Sequence, residues 1–120
     1  MNQVLLIAAG GGLGAVMRWW LAGLLSGGTG NASALSIFIV NVSGCFLIGL
    51  LQGFCYDRGE AWRLALITGV LGGYTTFSTF GWQIFAMLRA GHLGMAAANA
   101  AGSVVAGLVA VWAGVWMSGR

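Results

Sequence analysis

Charge is what this chain has least of. Only 6% of its 120 residues are Asp, Glu, Lys or Arg, where an ordinary soluble domain carries about 25%. Proline is absent, 59% of the residues are hydrophobic and the mean hydropathy is +0.92. A soluble protein of this length could not hide so much apolar surface, so lipid must be the solvent for most of it. A hydrocarbon core of about 30 Å takes roughly 20 helical residues to cross. The chain is therefore long enough for about four spans and little else.

Each further scarcity excludes a class of function. The two acids, Asp57 and Glu60, sit together in one polar break, so no carboxylate lies in an apolar run. Proton-coupled carriers and cation pumps keep such a group at membrane depth. The five arginines are scattered singly and make no basic face for nucleic acid. Cys45 and Cys55 read as small core residues, and two cysteines with one histidine cannot fill a zinc shell. No phosphate-binding loop and no nucleophile–His–carboxylate set occurs, which argues against an enzyme. The stretch VLLIAAGGGLGA (4–15) mimics the dinucleotide fingerprint G-x-G-x-x-A, but no acid follows about 20 positions on. The N-terminus lacks a basic n-region and a cleavage site, and reads as a retained first span.

What is present is four apolar runs, at about 4–25, 35–56, 62–88 and 92–117. They are continuous and more than twice the length of a β-barrel strand, so helices are expected. The breaks between them are SGGTGNAS, DRGEAWR and RAGH, short enough to make neighbours antiparallel. Arg58, Arg63 and Arg120 fall on one side and Arg89 on the other, with Arg18 inside the first run. So weak a bias permits a single orientation or insertion both ways round, the latter giving an antiparallel dimer. Twenty-two glycines, among them 10–14, Gly49 with Gly53, and Gly102 four before Ala106, suit close helix packing.

The polar groups inside the runs are neutral: Asn41, Ser43, Thr68, Thr75, Thr76, Ser78, Thr79, Gln83, Asn99 and Ser103. On a continuous helix Thr75, Thr79 and Gln83 form one stripe, with Phe77, Phe80 and Ile84 on a neighbouring face. Hydroxyls, amides and ring edges offer positive partial charge without a fixed ion, which suits a small anion that must also leave. Cross-helix bonding accounts for single hydroxyls; the density in the third run exceeds it. Gly72 and Gly73 would weaken the helix there, and a break would release carbonyls able to bind a cation. An intact helix with glycines for packing is the alternative.

GGYTTFSTF in the third run, Asn41 within VNVSGCFLIG, and GGLGAVMRW around Arg18 resemble the Fluc (CrcB) family of fluoride channels over essentially the whole chain. The resemblance implies an all-α membrane protein of four transmembrane helices, the third broken near its centre, in the cell inner membrane. It implies an antiparallel dual-topology homodimer that exports fluoride passively and relieves its toxicity. Position by position it implies a fluoride path at Asn41, Phe77, Phe80, Ser78, Thr79 and Ser103. It also implies a structural Na⁺ held by the backbone carbonyls of Gly72 and Thr75, and Arg18 near an aqueous vestibule. A small dual-topology proton-coupled drug exporter is the runner-up, disfavoured by the missing intramembrane acid. A non-transporting scaffold is the third reading.

Overall fold

The computed structural model describes residues 2–28 and 32–119, and every regular element in them is helical. Residues 29–31 of the first break, and Arg120 of the charge map, lie outside the described residues. Helix α1 is Gln3–Leu25, α2 is Ala34–Cys55, α3 covers 60–74, α4 is Phe77–Arg89 and α5 is Leu93–Met117. Three of these, α1, α2 and α5, are long and apolar enough to cross a membrane. The chain is thus a multi-pass membrane protein by length and composition, and its helices fit a four-span arrangement.

Side-chain caps fix the starts. Asn2 accepts from the Val4 N–H at 3.1 Å, and Ser33 from the Ser36 N–H at 3.1 Å. Either cap satisfies a backbone donor that the first helical turn leaves open. α4 and α5 are joined by a tight turn in which Gly91 takes a positive φ of 79°, a conformation easy only for glycine.

Glycine sets which helices touch. A Cβ on Gly10 would meet the Ala65 carbonyl, one on Gly14 the Val70 carbonyl, and one on Gly73 the Gly11 backbone. The register rises together, so α1 and α3 run parallel, backbone against backbone. Likewise a Cβ on Gly107 would meet the Cys45 sulfur, one on Gly49 the Val111 carbonyl and one on Gly53 the Ser118 side chain, making α2 and α5 a second parallel pair. Where lipid is the alternative solvent, such close approach supplies the dispersion energy that holds helices together. Gly102 has nothing within 4 Å of a Cβ position and takes no part.

Between the pairs lies a small core of Ala22, Val40, Leu71 and Tyr74. Outward, Trp19, Trp20, Trp112 and Trp116 are strongly exposed near the ends of α1 and α5, the placement expected of interfacial anchors.

Two departures from the sequence reading concern 60–74. Its middle, Arg63–Leu71, is wound as a π-helix, a rare form often found near functional sites. And Gly72 and Gly73 do not leave the helix: Gly72 has φ −61° and ψ −37°. The expectation that these glycines unwind the chain is corrected: both stay helical, and Gly73 serves the close approach to Gly11 of α1, a contact that Gly72 does not share. The chain leaves helical geometry later, at Thr75 (φ −82°, ψ 157°) and Thr76 (φ −148°, ψ 117°), both extended.

Candidate anion path and cation-binding carbonyls

The extended pair Thr75–Thr76 strands backbone groups at the centre of the molecule, and three side chains answer them. The Asn41 carboxamide from α2 pairs with both backbone groups of one residue, Thr76. Its Nδ2 donates to the Thr76 carbonyl at 3.1 Å, and its Oδ1 accepts from the Thr76 N–H at 2.9 Å. From α1, Arg18 Nη1 donates to the Thr75 carbonyl at 3.2 Å. The Thr76 hydroxyl, only 8% of whose residue is exposed, accepts from the Thr79 N–H at 3.3 Å and so caps α4. It also reaches the Thr79 hydroxyl at 3.1 Å and the Ser78 hydroxyl at 3.4 Å. Every group at the interruption that bonds in this way is neutral except Arg18.

This geometry changes the sequence-stripe picture. Thr75 does not continue a stripe with Thr79 and Gln83, because it stands before the extended pair rather than on α4. Its hydroxyl is turned back to the Leu71 carbonyl at 2.9 Å. Thr76, not expected on the anion path, is instead the hub. Its signal was available: a threonine immediately before an apolar helix start, here Phe77, is an N-cap candidate. Tyr74 is buried, and its hydroxyl lies 2.8 Å from that of Ser43 on α2.

A cavity of about 400 Å³ opens beside the interruption. Asn41, Phe77, Phe80 and Ser103 line it together with Gly72 and Thr75. Four of the six residues expected on an anion path thus meet around one space. The rings of Phe77 and Phe80 lie 5.8 Å apart at 44°, and Phe77 is 84% exposed. Thr79 lies elsewhere, with Arg18, Trp19 and Ala32 around a second cavity of about 220 Å³. Ser78 is exposed and lines neither.

Electrostatically the interruption has two faces. α4 begins there, so its first N–H groups and the positive end of its dipole point into the centre, an environment that favours an anion. Asn41 keeps one unused N–H after its bond to Thr76. α3 ends there, and its last carbonyls point the other way. Thr76 N–H would bond the Gly72 carbonyl in a continuous α-helix, but it is turned to Asn41. The Gly72 carbonyl is thereby released toward the cavity. Neutral oxygen acceptors at a helix C-terminal end fit a hard monovalent cation. The Thr75 carbonyl shares that face but already takes Arg18, leaving one lone pair.

Among the described residues no group of three His, Cys, Asp or Glu side chains could hold a metal.

Comparison with known proteins agrees with this architecture. Residues 5–115 match the family model described as "CrcB-like protein, Camphor Resistance (CrcB)". A protein of Solibacter usitatus named fluoride-specific ion channel FluC is 44% identical over 121 residues, covering 98% of this chain and 99% of that one. One of the same name from Methylobacillus flagellatus is 42% identical over 118 residues, covering 95% and 92%. Another, from Chloroflexus aurantiacus, is 42% identical over 126 residues, covering 99% and 100%. With likeness running the length of both chains, and the capped interruption on the page beside it, this chain is a member of the CrcB family.

Proposed function

We propose that this protein is a passive, fluoride-selective channel that lets fluoride leave the cell and so relieves its toxicity. One observation carries the reading. A neutral, donor-bearing lining of Asn41, Phe77, Phe80 and Ser103 surrounds a cavity at the start of α4. The printed names of the relatives support fluoride as the ion. Fluoride is small and strongly hydrated, so a path for it must offer several close donors in place of water. Thr79 and Ser78 continue the donors along α4, and Arg18 supplies positive charge beside the second cavity.

In this reading 60–74 and 77–89 are the halves of a single third span, interrupted at Thr75–Thr76. The working unit is an antiparallel dual-topology homodimer. An apolar ring as exposed as Phe77, beside an open cavity, suits cover by a second copy. Structural Na⁺ would sit where the Gly72 and Thr75 carbonyls of two copies converge, since one copy offers too few oxygens for a full shell. A bound Na⁺ supplies positive charge and ties the halves together. Gly72 and Thr75 then shape the centre of the dimer rather than the ion's route.

The test is efflux from liposomes reconstituted with the protein, fluoride against chloride, for the natural chain and for Phe80→Ile. Rapid fluoride efflux with slow chloride efflux is expected, and Phe80→Ile should lower the fluoride rate while the dimer still forms. Equal leakage of both ions, or none of fluoride, refutes the function. Proton-driven export of a cationic dye would instead favour a drug exporter, for which no described carboxylate in α1 to α5 is available outside the start of α3.

A further inference from the structure

We infer that the corner between α2 and α3 is a phospholipid site, shaped and charged for the zwitterionic phosphoethanolamine headgroup of a bilayer lipid. The inference needs only that the chain lies in a membrane, and it stands or falls whatever ion the protein passes.

A cavity of about 370 Å³ opens at this corner, with Gln52, Tyr56, Glu60 and Arg63 among its lining. That volume is in the range of small-molecule sites. The corner is the polar break between the end of α2 at Cys55 and the start of α3 at Glu60, so it stands at headgroup depth. Exposed aromatic side chains mark the same level: Phe54, Tyr56 and Trp62, the residues that favour the membrane–water interface. The Phe54 and Trp62 rings meet edge to face with their centres 6.1 Å apart.

Both signs of charge border the cavity. Glu60 and Arg63 are three positions apart on α3, a spacing at which opposite charges can close on each other. They do not: among the described residues neither makes an ion pair. One carboxylate, one guanidinium and the Gln52 amide then match the two halves of a zwitterion. Arg63 and Gln52 donate to the phosphate oxygens, and Glu60 accepts from the ammonium N–H groups. A headgroup with phosphate and no cation would leave Glu60 facing a like charge. Choline also fits less well, because its quaternary nitrogen has no N–H for Glu60. The other way to hold a quaternary nitrogen is an aromatic face, and that of Phe54 is already covered by Arg58, whose guanidinium carbon lies 3.7 Å from the ring centre. An ethanolamine head uses every group.

The competing role is two solvated surface charges, which exposed acids and arginines commonly are. That role predicts no discrimination among lipids. The experiment is native mass spectrometry of the full chain in detergent, with dioleoyl phosphatidylethanolamine, phosphatidylcholine and phosphatidylglycerol added in equal amounts. The natural protein should retain the ethanolamine lipid about threefold or more over either of the others. Glu60→Gln should erase its advantage over the choline lipid, and Arg63→Gln should weaken retention of all three. Both residues are exposed, so the variants should fold, and an unchanged unfolding temperature without lipid checks this. Equal retention of the three lipids, or a preference unchanged in both variants, overturns the inference. So does highest retention of the glycerol lipid, which would make the corner merely cationic. Soluble O-phosphoethanolamine in excess should leave the lipid bound, because it lacks the buried chains; displacement would assign the site to a free aminophosphate and overturn the lipid.

Discussion

Replacing Asn41 by leucine should cost far more than a typical membrane hydrogen bond. Cross-helix bonds between side chains in lipid average about 0.6 kcal/mol, so two bonds lost as glue would cost about 1.2 kcal/mol. Asn41 does something different: it satisfies the N–H and the C=O of one extended residue, Thr76. Thr76 is 8% exposed, too little for water to replace both bonds in place. Each stranded backbone group costs about 1–3 kcal/mol, so the pair should cost about 2–6 kcal/mol. The helix start suffers too, because the same residue caps α4. Denaturant titration in mixed micelles, followed by tryptophan fluorescence, reads the loss directly. A change under about 1 kcal/mol would mean that the interruption does not depend on Asn41, and would refute the reasoning. Asn41→Asp keeps the acceptor for the Thr76 N–H and loses the donor to its carbonyl. It should therefore lie between the natural protein and the leucine variant, and gain stability as the carboxyl is protonated.

Two further outcomes follow from the packing and the charge. Gly14→Val should destabilise by about 2 kcal/mol or more, because its Cβ would collide with the rigid Val70 carbonyl; Gly12→Ala, in the same helix but with nothing within 4 Å, should not destabilise and should gain up to about 1 kcal/mol from helix propensity. Arg18→Gln should slow fluoride efflux more at low than at high ionic strength, since its charge acts through a cavity open to solvent and salt screens it over about 10 Å at 0.1 M. Equal slowing at both strengths would assign Arg18 to holding the Thr75 carbonyl alone.

Much of the architecture was legible before any coordinates, for a physical reason. Long apolar runs with no internal charge leave the helix as the only way to satisfy their backbone, so α1, α2 and α5 could be drawn within a residue or two. Asn41, Phe77, Phe80 and Ser103 stood out as polar or aromatic groups in a setting that had to explain them. The interruption was harder to place. Gly72 and Gly73 are weak helix formers, and propensity put the unwinding on them. Packing against Gly11 overrides propensity there, and the extended residues fall where Asn41 can replace the helical bonds. That match joins positions 35 apart, which spacing within one run cannot disclose. The π-helical winding of Arg63–Leu71 left no mark in the sequence that we can identify. The pairing of α1 with α3 and α2 with α5 was hidden likewise, because many glycines could have served and only some face a neighbour.

The near absence of charge at the interruption is itself a kinetic device in the proposed channel. A fixed cation 4 Å from a fluoride, at an effective dielectric of about 20, would hold it by about 4 kcal/mol. That slows exit roughly a thousandfold, at 1.4 kcal/mol per decade. A helix terminus carries about half a charge, so the start of α4 would hold the ion by about 2 kcal/mol and slow it only about thirtyfold. Among the described residues, Arg18 is the one near the interruption that carries a full charge. Its guanidinium instead stands beside the second cavity, bonded to the Thr75 carbonyl, and is not among the groups lining the cavity that Asn41, Phe77, Phe80 and Ser103 share. Binding strong enough to replace water and weak enough to release is then achieved by dipoles alone. The same logic explains why an acid at this depth would be ruinous: it would add a repulsion as large as the attraction that the lining provides.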